Sequence, residues 1–312
     1  MVSKTNRRLI LELQRDGAAS YAHLATRLGI TTQTVAKRME SLINSDIMQI
    51  RALPNPFRLG LAANALIAVK VDPAKIDDVC NALMDIFYVN LVQPVFGRFD
   101  ILIIVYFPKW NMLHDFISNE LNHIDGIIKV EPYFIKDIFK RYERMFVKEP
   151  YHEGPSKLKD VDWKLIRELA EDGRAHAGEL AEKLGIHVTT VYRRISSLVK
   201  KNIIKISAVP NPAAFGYSSN AHIALDVKAD KVGTICTSLY PNQEIHLIMT
   251  MVNGSGIIAG IHKESNEALY GFIKEKIAGL KGIRNTETFI RTEIRKRYYG
   301  WFLNDADLDA NP

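Results

Sequence analysis

Apolar positions in the first sixty residues recur at spacings of three and four, the period of helices that each bury one face. Leu9, Ile10 and Leu13 form one stripe, Leu24, Ala25 and Leu28 a second, and Val35, Met39 and Leu42 a third. The pattern predicts a helix ending at Asp16-Gly17, a short helix over about 20–28, a turn at Gly29-Ile30 and a third helix over about 32–44. Ser3 or Thr5 suits the first N-cap, and Gly17 is expected to stop that helix by taking the left-handed conformation. Ile47 to Leu53 then reads as a strand or hairpin closed by Pro54-Asn55-Pro56, because proline cannot continue a central strand.

Further on, strands are predicted at Asn64 to Val71, Phe87 to Phe96, Ile101 to Tyr106 and Ile127 to about Ile138. Helices fall between them, from Pro73 to about Asp85 and from about Trp110 to His123. The order strand–helix–strand–strand–helix–strand is the split βαβ, ferredoxin-like sandwich. Helices cover one face of such a sheet, so its other apolar face needs a partner.

The whole pattern then returns. Residues 16–65 and 172–221 align without a gap at an offset of 156, half the chain of 312 residues, with roughly 22 of 50 positions identical. The register persists at Cys80 and Cys236, Gly126 and Gly282, Glu131 and Glu287, and Lys140-Arg141-Tyr142 and Lys296-Arg297-Tyr298. The copy repeats the stripes Leu165, Ile166, Leu169, then Leu180, Ala181, Leu184, then Val191, Ile195, Leu198, with Asp160 expected as a cap. It also repeats a strand from Ile203 to Val209 before Pro210-Asn211-Pro212, a hairpin turn at Asn253-Gly254-Ser255-Gly256 and a last strand from Ile283 to Ile294. The expected fold is α+β: two winged helix-turn-helix domains (1–62 and 159–218) alternating with two ferredoxin-like βαββαβ domains (63–146 and 219–302). A linker at 147–158 and an acidic tail at 303–312 complete the division.

Composition changes the picture in one respect. At 47% apolar and 24% charged the chain is of ordinary soluble type, and the net charge is +6. Residues 1–56 carry an excess of four positive charges and residues 157–212 another four, while the remainder is net −2. The positive excess therefore lies in the two helical modules, where a polyanion would be met. No apolar run is long enough to span a membrane, so a cytoplasmic location is expected. Cys80 and Cys236 sit in apolar helical stripes and read as core thiols. No nucleophile triad, metal-ligand spacing or phosphate-binding glycine loop occurs, so neither cofactor nor metal is expected.

Two helices crossing at alanine around a glycine turn make a helix-turn-helix, whose second helix enters the major groove. The candidate DNA contacts are Thr32, Gln33, Thr34, Lys37 and Arg38, and in the copy Thr189, Thr190, Tyr192, Arg193 and Arg194. Gln33 can pair with an adenine edge, and the basic residues can meet guanine or phosphate. The outward residues differ between copies where the buried ones match, so the two helices should prefer different sequences.

Leu-Ala-x-x-Leu-Gly-Ile, Val-x-x-Arg and Pro-Asn-Pro-x-x-x-Gly, in this order and twice over, resemble the leucine-responsive regulator (Lrp/AsnC) family across 3–146 and 159–302. The resemblance implies a transcriptional regulator bound to double-stranded DNA, answering to an amino acid or related small molecule. It also implies further assembly of copies through the ferredoxin-like domains. Ordinary members carry one copy, so this chain reads as a covalent pseudo-dimer. The family's effector turn has a Gly-x-x-Asp pattern, which Gly97 and Asp100 match, whereas Asn253 and Gly256 depart from it. The leading expectation is a regulator and not an enzyme. The alternative is a similarity to siroheme decarboxylases, which share this architecture. His222, His246 and His262, absent from the first repeat, are its candidate residues, read here as scattered polar positions.

Overall fold

The computed structural model describes residues 2–140, 154–242, 244–252 and 256–297. Its described residues divide into two compact units that cut across the repeat, one from 2–60 and 154–216 and the other from 61–140 and 217–297. Like therefore packs with like, helical module with helical module and sheet with sheet.

In the first unit, helices α1 (Lys4–Arg15), α2 (Tyr21–Leu28) and α3 (Thr32–Asn44) precede strand β1 (Met48–Pro54). Ser3 caps α1 as expected, its side chain accepting from the Asn6 N–H. The predicted stripes are buried throughout these three helices. The strand is single, not a hairpin, and its partner lies 156 residues away. The sheet of the second unit is built from β2 (Ala63–Val71), α4 (Ile76–Asp85), β3 (Val89–Phe96), β4 (Ile101–Phe107), α5 (Trp110–Asp115, continued by a π turn) and β5 (Ile127–Lys140).

The copy gives α6 (Asp160–Glu171), α7 (Ala177–Leu184), α8 (Val188–Lys200) and β6 (Ile204–Pro210). It continues with β7 (Ser219–Val227), α9 (Val232–Leu239), β8 (Ile245–Met251), β9 (Gly256–Lys263), α10 (Asn266–Phe272), β10 (Ile283–Arg291) and the short β11 (Lys296–Arg297). Asp160 is not the cap of α6. It stands at the first helical position, and the Asp162 carboxylate accepts from the Lys159 N–H instead. Leu184 and Ile195 are only partly buried, unlike Leu28 and Met39.

β1 and β6 pair antiparallel with Arg51 opposite Ser207, and these are repeat counterparts. A pseudo-two-fold axis therefore passes through that pair. The bonds around it come in matched couples: the Gly17 N–H donates to Ile206 O and the Gly173 N–H to Ile50 O, at 3.0 and 2.8 Å. This corrects the role expected of Gly17. Neither Gly17 nor Gly173 has a positive φ. Each is glycine because a Cβ would stand 2.7 Å from Ser207 N in one case and 2.9 Å from the Arg51 backbone in the other. The helix end is pressed onto the opposite repeat's strand. Side chains finish the seam unequally. Arg51 donates to Ala170 O and Glu171 O at the end of α6, whereas Ser207 Oγ donates to Gln14 O. Arg174 reaches Gly17 O and Ala19 O and lies 5.0 Å from the Tyr21 ring centroid.

In the second unit the strands follow the order β10–β7–β9–β8–β5–β2–β4–β3, and β3 pairs back to β10. The sheet is thus a closed ring of eight strands, with β11 attached to β3. Helices pack outside it. Ile67, Val69, Ile103 and Val105 face Val79, Cys80 and Leu83 of α4, and Ile223, Ile248 and Ala259 face Ile235, Cys236 and Leu239 of α9. Burial pushes both thiols up, Cys80 to about 11 and Cys236 to about 12, so they stay protonated core residues. The alternate strand residues, buried without touching that core, face the lumen, so the open sheet face expected to need a partner finds it within the chain.

Closure also gives the lysine of the shared Lys-Arg-Tyr segment a role. Lys140 donates to Tyr240 O and Asn242 O beyond α9, and its counterpart Lys296 to Met84 O and Ile86 O at the end of α4. Each repeat's last strand thus caps the other repeat's helix with an ammonium group. Tyr142, Tyr298, Asn253 to Ser255, most of the expected linker and the acidic tail lie outside the described residues. No helix among the described residues is long and apolar enough to cross a membrane.

Candidate functional site

Both helix-turn-helix turns are built alike. Gly29 (φ 68°) and Gly185 (φ 63°) take the left-handed conformation that ends α2 and α7. Thr31 then caps α3, its hydroxyl accepting from the Thr34 N–H at 3.2 Å. Thr32, Gln33 and Lys37 are exposed on α3, and Thr189, Tyr192 and Arg193 on α8, while Thr34 and Thr190 are half-buried at the helix starts. Arg38 and Arg194 behave differently. Arg38 donates to Asn6 Oδ1 and Arg194 to Asp162 Oδ1, both at 2.7 Å. Asn6 and Asp162 are repeat counterparts, so these arginines are matched struts that hold the recognition helix to the first helix of its module. The Val-x-x-Arg motif is therefore structural at its arginine, and the outward-facing basic residues are Lys37 and Arg193.

The turn between β3 and β4 is engaged by the fold. Asp100 pairs with Lys70 Nζ at 2.9 Å and accepts from the Val71 N–H at 2.8 Å. Its carboxylate is thus held by its own sheet. Gly97 is required by close approach, because a Cβ there would stand 3.0 Å from Thr288 O. Next to it Arg98 bonds Glu131 and Glu287, which are repeat counterparts, at 2.6 Å each. These bonds raise the Arg98 pKa. Burial opposes ionisation of Glu131, but hydrogen bonds from Arg98, Tyr133 and Lys129 outweigh it and hold the carboxyl below its ordinary value. A cavity of about 190 Å³ lies beside the other turn, lined by Tyr133, Asp226, Met251, Gly256, Asn285 and Glu287 among others. This cavity thus adjoins Gly256, on the repeat that lacks the Gly-x-x-Asp pattern.

The three histidines are not scattered. β7, β8 and β9 bring them into one buried group in the lumen. The His246 and His262 rings stack with centroids 3.8 Å apart and planes 9° apart, and His222 meets His246 edge-on at 6.2 Å. His222 Nε2 bonds Gln93 Oε1 at 2.9 Å, His262 Nδ1 contacts Asn220 Oδ1, and Tyr217 lies over His262. At an offset of 156 the first repeat has Leu66, Asn90 and Tyr106 instead. Gly260 makes the room, since a Cβ there would stand 2.7 Å from His246 Nε2. Its counterpart is Ile104. The sequence carried a signal for this group: Asn220, His222, Gly260 and His262 share the parity of one sheet face. Among the described residues no group of three or more His, Cys, Asp or Glu is placed to hold a metal ion.

Family models match along the chain: an AsnC-type helix-turn-helix domain at residues 3–43 and an Lrp/AsnC ligand binding domain at 64–145. A winged helix-turn-helix DNA-binding model follows at 158–205, and a C-terminal dimeric alpha+beta barrel domain at 217–304. An uncharacterized HTH-type transcriptional regulator of Pyrococcus horikoshii is 32% identical over 149 residues, which is 47% of this chain and 94% of the relative. The chain belongs to the Lrp/AsnC family. The HTH-type transcriptional regulator FL11 of Pyrococcus abyssi is 29% identical over 140 residues, 45% of this Lrp/AsnC protein and 92% of that relative.

Structural comparison reaches almost the full length of the chain. The crystal structure of the siroheme decarboxylase NirDL matches 98% of this Lrp/AsnC protein and 97% of its own chain, with a TM-score of 0.69 and 16% identity. At that identity the likeness is one of fold. It nevertheless corrects the expectation that the protein is not an enzyme: the architecture from which that expectation was drawn, two helix-turn-helix modules and two ferredoxin-like sheets, is also that of a decarboxylase. The arrangement cannot serve to exclude catalysis.

Proposed function

We propose that this Lrp/AsnC protein is a DNA-binding transcriptional regulator that sets two recognition helices, α3 and α8, on the two parts of one operator. The observation that carries this reading is that both helix-turn-helix modules are complete and keep exposed polar and basic faces, while their backs are joined through β1 and β6. Most of the affinity comes from phosphate contacts and falls steeply with salt. An amino acid or related small molecule is the effector class that suits the cavity by Tyr133 and Gly256.

Fluorescence anisotropy with genomic fragments at two salt concentrations tests the reading. Lys37→Glu and Arg193→Glu are each expected to weaken binding roughly tenfold, in keeping with the loss and reversal of a phosphate contact. A double variant that binds as the wild type does would overturn the assignment. A second reading, decarboxylation of a siroheme-like tetrapyrrole, is favoured by the buried histidine group together with the whole-chain fold. The stacked rings of His246 and His262 cover one another, so a macrocycle would have to part them. Visible absorbance on adding siroheme distinguishes the two: salt-insensitive DNA binding with a shifted tetrapyrrole spectrum favours the enzyme.

A further inference from the structure

The two recognition helices differ most where base edges would be met. At equivalent places α3 presents Thr32, Gln33 and Ala36, and α8 presents Val188, Thr189 and Tyr192. Val188 is 41% exposed and Tyr192 62% exposed. Four residues apart on one helix, they lie one above the other on the same face. Val191 and Leu198, by contrast, are buried in the module. An apolar pair is thus held outward at the N-terminal part of a recognition helix, beside Thr189 and Arg193.

The surroundings specify what can cover this pair. A purely apolar protein surface would have to desolvate Arg193, and Lys200 and Lys201 follow at the far end of the helix. The DNA major groove supplies both required chemistries: phosphates for the basic residues, and one apolar group, the C5-methyl of thymine. No other base edge in that groove offers a methyl group.

We infer that Val188 and Tyr192 make α8 a reader of thymine methyl groups, whereas α3 reads an adenine edge through Gln33. The operator is then non-palindromic, with adjacent thymines facing α8. The inference rests on the DNA-binding reading above, and its test separates the two.

Duplexes enriched by the full chain from a random pool are prepared once with thymine and once with uracil, which keeps pairing and phosphate charge and removes only the methyl. The wild type is expected to bind the uracil form about fourfold more weakly for each contacted methyl, the value of one buried CH₂-sized group. Tyr192→Ala, at an exposed position, should narrow the difference between the two forms to the part left by Val188 while keeping the salt dependence of the wild type. Ala36→Tyr should add methyl discrimination to the other half-site. Equal wild-type affinity for both forms, with salt-dependent selective binding intact, overturns the methyl reading and leaves the regulator. Absence of any selective DNA binding overturns both.

Discussion

The two repeats share a backbone plan, yet at several of the places where they meet their side chains differ. Around the axis through β1 and β6 the paired bonds of Gly17 and Gly173 are equivalent, but Arg51 faces Ser207. In a dimer of identical chains a residue on the axis faces its own copy, and two arginines would oppose each other directly. Joining the copies in one chain removes that constraint. Arg51 can then reach the end of α6 while Ser207 serves Gln14. The sheet unit repeats the lesson: one Arg98 serves both Glu131 and Glu287, and one lumenal wall carries histidines where the other has Leu66, Asn90 and Tyr106. Symmetry was kept in the backbone bonds and the reciprocal lysines, and relaxed at Arg51 and Ser207, at Arg98 and along the lumenal wall.

The largest expected effects probe the part held symmetric. Gly17→Val and Gly173→Val should each cost about 3 kcal/mol, because the new side chain meets backbone that cannot move aside. Urea unfolding measures this, and markedly unequal costs would break the symmetry of the seam. Next come the reciprocal lysines. Lys140→Met and Lys296→Met should each cost about 2 kcal/mol by leaving two helix-end carbonyls without a donor.

Lys140 adds a pH signature. Burial pushes its pKa down to about 8 from the ordinary 10.5. Between those values the unfolded chain binds the proton that the folded chain has lost, so the contribution of Lys140 to stability should increase as the pH rises through this window. The difference in unfolding free energy between the wild type and Lys140→Met should therefore shift in favour of the wild type across it, a comparison in which the opposing contribution of the buried thiols Cys80 and Cys236 and that of Lys296 cancel.

A smaller effect tests the relaxed part. Asn90→His should cost about 1.5 kcal/mol, since Ile104 fills the space that Gly260 leaves open in the other repeat. Combined with Ile104→Gly, it should cost less than the two single changes together. An additive result would show that His246 and Gly260 are independent. Least of all, Asp100→Gly should cost about 1 kcal/mol, through loss of the Lys70 pair and the acceptor for Val71. Thermal melts resolve a change of that size.

Local periodicity made the helices, the turn glycines and the βαββαβ order legible, because each is decided by neighbours in the chain. It also placed Thr32, Gln33, Lys37, Tyr192 and Arg193 on outer faces. It could not show that β1 pairs with β6, or β10 with β3, since partners so distant in sequence leave no mark on a local pattern. Particular residues show what that gap hides. Gly17 reads as a left-handed turn as long as the strand pressing on it is unseen. The bond from Arg38 to Asn6 on α1 leaves no mark on the pattern of α3. The histidines read as unrelated because their register across β7, β9 and β8, neighbours in one sheet, is not written in a local pattern.

The closed ring also has a consequence in time. β3 ends at Phe96, and its partner β10 begins at Ile283, so the seam cannot close until the chain between them has been made. At a synthesis rate of roughly 5–20 residues per second that interval is on the order of ten to forty seconds. During it the first sheet stands on a nascent chain with its lumenal face wet and an edge strand unpaired. The nearest matching surface is then the same half of a chain on the next ribosome, and intramolecular closure must outrun that encounter.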